Sequence, residues 1–194
     1  ERDRLIGYIQ TDWDITDYLS LMARFSTDTY SELQEERKAI GSASGEFGVG
    51  TTAGRSDVTS GYSRLNKQFR EDNFDLMLRY HKNLNEDFNL NALLGTNIRR
   101  SSLDQVFAST DGGLIVPDLY SLGNSVNQIL APEERLERIG VNGIYASASL
   151  GYRDYLFLDA TIRRDQSSTL PEDNNAYFYP SVSGSFIFSN VVEA

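Results

Sequence analysis

From Ser181 the odd positions of SVSGSFIF carry Ser181, Ser183 and Ser185, while the even positions carry Val182, Gly184, Phe186 and Phe188. A period of two puts the two sets on opposite faces of a strand, one hydroxylated and one oily. The same alternation recurs over about 2 to 13, 18 to 29, 62 to 81, 87 to 99, 141 to 152, 154 to 165 and 177 to 189. Most of these segments hold the pattern for about ten residues or more, against roughly five or six in an ordinary strand. A helix cannot use such a pattern, so the expected fold is all-β, built from about seven long strands with one wet and one oily face.

The connections sort into two kinds. DITD (14 to 17), KNLNED (82 to 87) and YRD (152 to 154) are short turns, whereas about 30–61, 100–140 and 166–176 read as long polar loops. Short and long alternate strictly, which is the layout of an antiparallel up-and-down transmembrane β-barrel. In each strand the apolar band lies at the end next to a short turn: Leu19, Leu21, Ala23 and Phe25; Phe88, Leu90, Ala92 and Leu94; Leu156, Leu158, Ala160 and Ile162. The strands entering the turns mirror this with Phe74, Leu76, Leu78 and Tyr80, and with Ile144, Ala146, Ala148 and Leu150. Four outward positions span about eight residues, close to what a tilted strand needs to cross a bilayer. Trp13, Tyr18, Tyr80, Phe88, Tyr152, Tyr155 and Phe188 flank the short turns, as aromatic rings do at a headgroup interface.

The other face carries Arg4, Tyr8 and Gln10; Ser20 and Arg24; Asp75, Arg79 and His81; Asn89, Asn91 and Asn97; Ser147 and Ser149; Asp159, Thr161 and Arg163. This reads as a wet interior, with Ile6, Met22, Met77, Leu93 and Phe157 as apolar exceptions. A bulk excess of 28 acidic over 18 basic residues argues against a nucleic-acid partner, and the absence of cysteine excludes disulfides and thiolate metal sites. No run approaches the roughly 20 apolar residues of a spanning helix. A soluble sandwich burying the apolar faces against each other is the competing fold, but strand length and the one-sided bands favour the barrel. Closed bacterial barrels have even strand counts, so seven strands ending just past a strand imply that 1–194 is a segment of a larger barrel.

Little here suggests chemistry of catalysis. His81 stands at a strand end with no locally paired nucleophile. EERK (35 to 38) and EERLER (133 to 138) read as short solvated helices, the second with Pro132 before it and Gly140 after. GSASGEFGVGTTAG (41 to 54) lacks the Lys-Ser/Thr of a phosphate loop and reads as a plain loop, and the acids of DGGLIVPD do not fit calcium-loop spacing. No enzyme, metal or cofactor is expected.

TDYLSLMARFSTDTYSELQEERKAIGS, NFDLMLRYHKNLNEDFNLNALLGTNIR and GYRDYLFLDATIRRDQSSTLPEDNNAYFYPSVSGSFIFS resemble the barrel of SusC/RagA-type TonB-dependent transporters of Bacteroidetes outer membranes. The resemblance implies a barrel of about 22 strands with an amino-terminal plug. It also implies a SusD-like surface lipoprotein as lid, and TonB-powered uptake of oligosaccharides or oligopeptides across the Gram-negative outer membrane. The plug, the TonB-contacting segment and the other strands are not in this sequence. Within this reading Tyr8, Asp111, Asp118 and Tyr120 are the candidate substrate contacts, because sugars stack on rings and bond to carboxylates. A passive porin, a barrel enzyme and a soluble sugar-binding sandwich are the alternatives.

Overall fold

The computed structural model describes residues 1–40 and 60–190. The strands are β1 (Arg2–Thr16), β2 (Leu19–Lys38), β3 (Gly61–Asn83), β4 (Phe88–Ser109), β5 (Asp111–Leu114), β6 (Ser125–Asn127), β7 (Glu133–Tyr152), β8 (Leu156–Ser167) and β9 (Ala176–Phe186). Seven of them form one antiparallel sheet in the order β1-β2-β3-β4-β7-β8-β9, each joined to the next along the chain except where the small β5-β6 pair intervenes. The sheet is not closed, and there is no α-helix among the described residues.

Register confirms the two faces. Across β7, β8 and β9 the rows Leu150, Leu158, Gly184 and Ala148, Ala160, Val182 are apolar, while Ser149, Asp159, Ser183 and Ser147, Thr161, Ser181 are polar. The apolar face is uncovered: Leu158, Ile162 and Val182 are 54%, 49% and 74% exposed, while on the polar face Asp159 and Arg163 are half-buried and Thr161, Ser181 and Ser183 exposed. No partner sheet covers the apolar face among the described residues, so the sandwich arrangement is absent from them.

The chain divides into two compact units, to both of which β1, β2, β3, β4 and β7 contribute residues. The unit made of 6–28, 71–101 and 138–194 holds the short turns. Arg153 and Asp154 both take positive φ (49° and 57°), the geometry of a tight hairpin whose twist suits the flanking strands. Two non-glycine residues tolerate it because Arg153 is held from outside: its N–H donates to Asp87 O (2.8 Å) and its Nε to Asp87 Oδ1 (2.7 Å). Asn85 Oδ1 closes the preceding turn by accepting from the N–H groups of Asp87 and Phe88, both at 2.9 Å. Aromatic rings at these turns touch one another: Tyr18 and Tyr80 at 5.7 Å, and a chain from Phe88 through Tyr152 and Tyr155 to Phe186 at 4.8, 5.4 and 5.9 Å. Phe188 lies past β9 in a 3-10 turn, 70% exposed.

Three expectations change. EERK and EERLER are not helices; they lie in β2 and β7. Their opposite charges pair at i,i+2, the same-face spacing of a strand: Arg37 Nη2 to Glu35 Oε2 at 2.8 Å, Lys38 to Glu36 at 3.3 Å, and Arg135 Nε to Glu137 Oε1 at 2.6 Å. Pairing with neighbouring strands outweighs the local capping signals around Pro132. The polar segments read as loops from 30 and from 100 are also largely strand, since β2 continues to Lys38, β4 to Ser109 and β7 begins at Glu133. The glycine-rich stretch 41 to 54 lies outside the described residues.

Candidate functional site

The polar face of the unit that holds the short turns carries a hydrogen-bonded network. Asp75, on β3, accepts from Arg24 of β2 through Nε (3.0 Å) and Nη2 (2.8 Å), and from Asn97 Nδ2 of β4 (2.6 Å). One carboxylate thereby ties three strands, and its side chain is only 13% exposed. Lower on the same face His81 Nδ1 meets Asn91 Oδ1 at 2.5 Å, and Arg79 reaches Asp12 Oδ1 (3.5 Å). The apolar exceptions fall into place beside these groups. Met22 is 3% exposed, the Met77 sulfur accepts from Arg79 Nε (3.3 Å), and Leu93 and Phe157 are half-buried; Ile6, on the edge strand β1, stays 64% exposed.

A second assembly occupies the same face of β7, β8 and β9. Register aligns Tyr145, Arg163 and Tyr179 in one row and Gly143, Asp165 and Tyr177 in the next. Arg163 Nε donates to both Asp165 oxygens, at 2.8 and 3.0 Å, and its guanidinium lies 5.3 Å from the Tyr145 ring centroid. Two glycines form the floor. A Cβ on Gly143 would stand 2.6 Å from Asp165 Oδ1 and 2.8 Å from Arg163 Nη2, and one on Gly95 would collide with the Tyr145 ring. The Tyr145 ring and the ion pair therefore lie close on the sheet only because these positions lack side chains.

This arrangement gives a direct prediction. Gly95→Val should displace Tyr145 and lower stability by about 1–3 kcal/mol, the usual range for overpacking. Gly7→Val, at a glycine with nothing within 4 Å of its would-be Cβ, should change little. Urea unfolding reads both, and equal midpoints would refute the overlay of Tyr145 on Gly95.

The other unit, containing 1–5, 29–70 and 102–137, holds the β5-β6 pair and a pinned loop. Its hub is Asn124, 6% exposed. Its Nδ2 donates to the carbonyls of Val116 and Leu119, both at 2.8 Å, and its Oδ1 accepts from the Val116 N–H (3.0 Å). Leu114 is buried under this loop, its N–H donating to Ser60 Oγ (3.0 Å), and Thr110 Oγ1 accepts from the Tyr62 N–H (2.9 Å). The apex remains apolar and open: Ile115, Val116 and Leu119 are 63%, 49% and 52% exposed.

The four substrate candidates read from sequence have different surroundings. Tyr8 stands on edge strand β1, 72% exposed. Asp111 is committed to β6, its Oδ2 accepting from Asn127 Nδ2 (3.0 Å) and its N–H donating to Ser125 Oγ (2.8 Å). Asp118, at φ 61°, accepts from the Tyr120 hydroxyl (3.3 Å), so these two do meet. Partial burial and then the Asp118 charge raise the Tyr120 pKa, opposed by Arg37, whose guanidinium lies 5.9 Å from its ring. Arg37 leads on to Glu35, whose carboxylate accepts from the Tyr62 hydroxyl. That bond holds Glu35 below the usual carboxylate range and pushes Tyr62 up. No group of acids and histidine able to hold a metal is present among the described residues. Tyr145, Tyr177 and Tyr179 were missed, although Tyr177 and Tyr179 share the odd parity of Ser181, Ser183 and Ser185.

Long antiparallel strands in simple up-and-down order, unclosed and two-faced, define the fold as the wall of a partial β-barrel. It is similar to solved structures of the RagAB peptide transporter, with a TM-score of 0.73 at 20% identity over 97% of this chain and 21% of that one. The RagAB peptide importer in its 'open-open' state gives 0.71 at 20% identity, covering 95% and 20% of the two chains. Its 'closed-closed' state gives 0.70 at 19% identity, again over 95% and 20%. The chain thus spans about a fifth of those chains. No family model and no curated protein matches.

Proposed function

We propose that this chain is a stretch of barrel wall in a SusC/RagA-type active importer of the Gram-negative outer membrane, working with a SusD-like lipoprotein lid and powered through TonB. Its cargo is an oligomeric nutrient, glycan or peptide, and it carries no catalytic site. The observation that supports this most is an uncovered apolar face, with Leu158 and Val182 54% and 74% exposed, on the opposite side of the sheet from a polar face netted by hydrogen bonds. Lipid covers the first face in this reading and the transport lumen is lined by the second. The fold likeness to RagAB supports the same class of machine.

The experiment is uptake in cells expressing the full-length protein, with and without TonB. Active import predicts accumulation of the cognate oligomer that stops when TonB is deleted; uptake unaffected by that deletion would favour a passive porin. The pinned loop adds a second expectation. Its open apex of Ile115, Val116 and Leu119 suits a protein partner. Replacing residues 112–130 with a tight turn should leave barrel assembly intact but remove co-purification of the lipoprotein. Retained co-purification would exclude the loop from the lid interface.

A further inference from the structure

The row Tyr145, Arg163, Tyr179, with Asp165 and Tyr177 beside it, is the strongest concentration of unused recognition chemistry on the polar face. The Arg163 and Asp165 side chains are 41% and 28% exposed, and Tyr177 and Tyr179 are 42% and 55% exposed. Nothing among the described residues takes a hydrogen bond from the Tyr177 or Tyr179 hydroxyl. Only Nε of Arg163 is engaged, so both terminal amino groups remain available as donors. The carboxylate of Asp165 accepts one N–H group and keeps lone pairs to spare.

The chemistry of a matching ligand follows. Arg163 and Asp165 neutralise each other, so the patch has no net charge to draw an anion or a cation. Side by side, a guanidinium N–H and a carboxylate oxygen suit a hydroxyl, which accepts from one and donates to the other. Adjacent strands lie about 4.8 Å apart, which sets the backbones of Tyr145 and Tyr179 about 10 Å from each other on either side of Arg163, with Tyr177 about 7 Å along β9; the Tyr145 ring itself lies over Gly95 of β4. Aromatic faces around a hydrogen-bonding centre match a ligand with an apolar ring face and hydroxyls at its rim.

We infer that the Tyr145–Arg163–Tyr179 row with Asp165 and Tyr177 is a subsite for a neutral pyranose unit of an oligosaccharide, held by ring stacking and by hydroxyl bonds to the ion pair. The inference rests on the transport reading for its setting in a lumen. It favours sugar over peptide, because a peptide terminus or charged side chain would find no uncompensated charge here. The same balance disfavours uronic acids, whose carboxylate would face Asp165.

The test uses the purified full-length protein in detergent and four probes: maltohexaose, xylohexaose, a galacturonate hexamer and hexaglycine, with binding followed by saturation-transfer NMR and calorimetry. The expected result is binding of at least one neutral hexaose in preference to the acidic hexamer and the peptide. Tyr179→Ala should weaken it about tenfold or more, the usual cost of removing an aromatic anchor that the ligand covers. Arg163→Lys, which keeps the charge but loses the planar fork, should weaken it by a similar factor. Heat-modifiable gel migration confirms that each variant is folded, and Tyr177→Phe, which keeps the ring and loses one hydroxyl, gives a milder variant should either fail. No binding of either neutral hexaose, or equal binding by folded variants, overturns the inference. TonB-dependent uptake of a peptide that the variants leave unchanged would also refute the sugar subsite while leaving the importer standing. Absence of TonB-dependent uptake for any oligomer would instead refute the importer.

Discussion

In the proposed membrane-inserted state, replacing Leu158 with arginine is expected to cost about 2–4 kcal/mol, while Asp159→Asn, one residue away, changes stability far less. Leu158 faces the apolar side between Leu150 and Gly184, and Asp159 faces the polar side between Ser149 and Ser183. In lipid an arginine at mid-depth must drag water inward or snorkel, whereas Asp159 already has access to water. A position scan separates a lipid face from a protein core. Leu156→Arg sits at the turn, level with the rings of Tyr152 and Phe186, and should cost only about 0–1 kcal/mol because the interface tolerates charge. Denaturant unfolding in lipid vesicles measures all three. A penalty equal at Leu156 and Leu158 would point to a packed protein interface, and no penalty at Leu158 would remove the membrane assignment.

The second large effect is expected at Asn124. Asn124→Ala removes three hydrogen bonds at once and leaves the Val116 N–H and the Leu119 carbonyl without their partner, while the Val116 carbonyl keeps the Leu119 N–H (3.4 Å). A buried polar group stripped of its bond costs about 1–3 kcal/mol. The apex of this loop is exposed, so water replaces part of what is lost, and a total of about 2–3 kcal/mol of local stability is expected. Hydrogen exchange at the Val116 amide should accelerate by about tenfold or more, while amides of β8 keep their protection. An unchanged Val116 rate would mean that the β5-β6 pair and backbone bonds such as Ile115 N–H to Asn124 O (3.0 Å) hold the loop without the Asn124 side chain. The variant also bears on function: if the rigid apex docks the lid, loosening it should raise the lipoprotein's dissociation rate without preventing barrel assembly.

How far the sequence carries can be judged residue by residue. The two faces of Leu156 to Arg163 follow from period two alone, because alternation is a property of the strand backbone and needs no partner to be true. The turns were legible for a similar reason, since Asn85 makes its capping bonds within three residues. The stretch from Glu133 to Arg138 was not legible. With Leu136 its one apolar residue, no periodicity separates strand from helix there, and only the neighbouring strands decide. Tyr177 and Tyr179 show in the sequence which face they belong to, and nothing more. Meeting Arg163, Asp165 and Tyr145 depends on the registers of β8 with β7 and β9, which the sequence does not print. Asn124 is the extreme case: an asparagine in a polar loop looks ordinary until Val116 and Leu119 fold around it. Sequence alone thus determined the faces and turns, whose causes act within a few residues. The tertiary structure decided strand limits, the tyrosine row and the pinned loop, because each depends on groups that distant parts of the chain bring together.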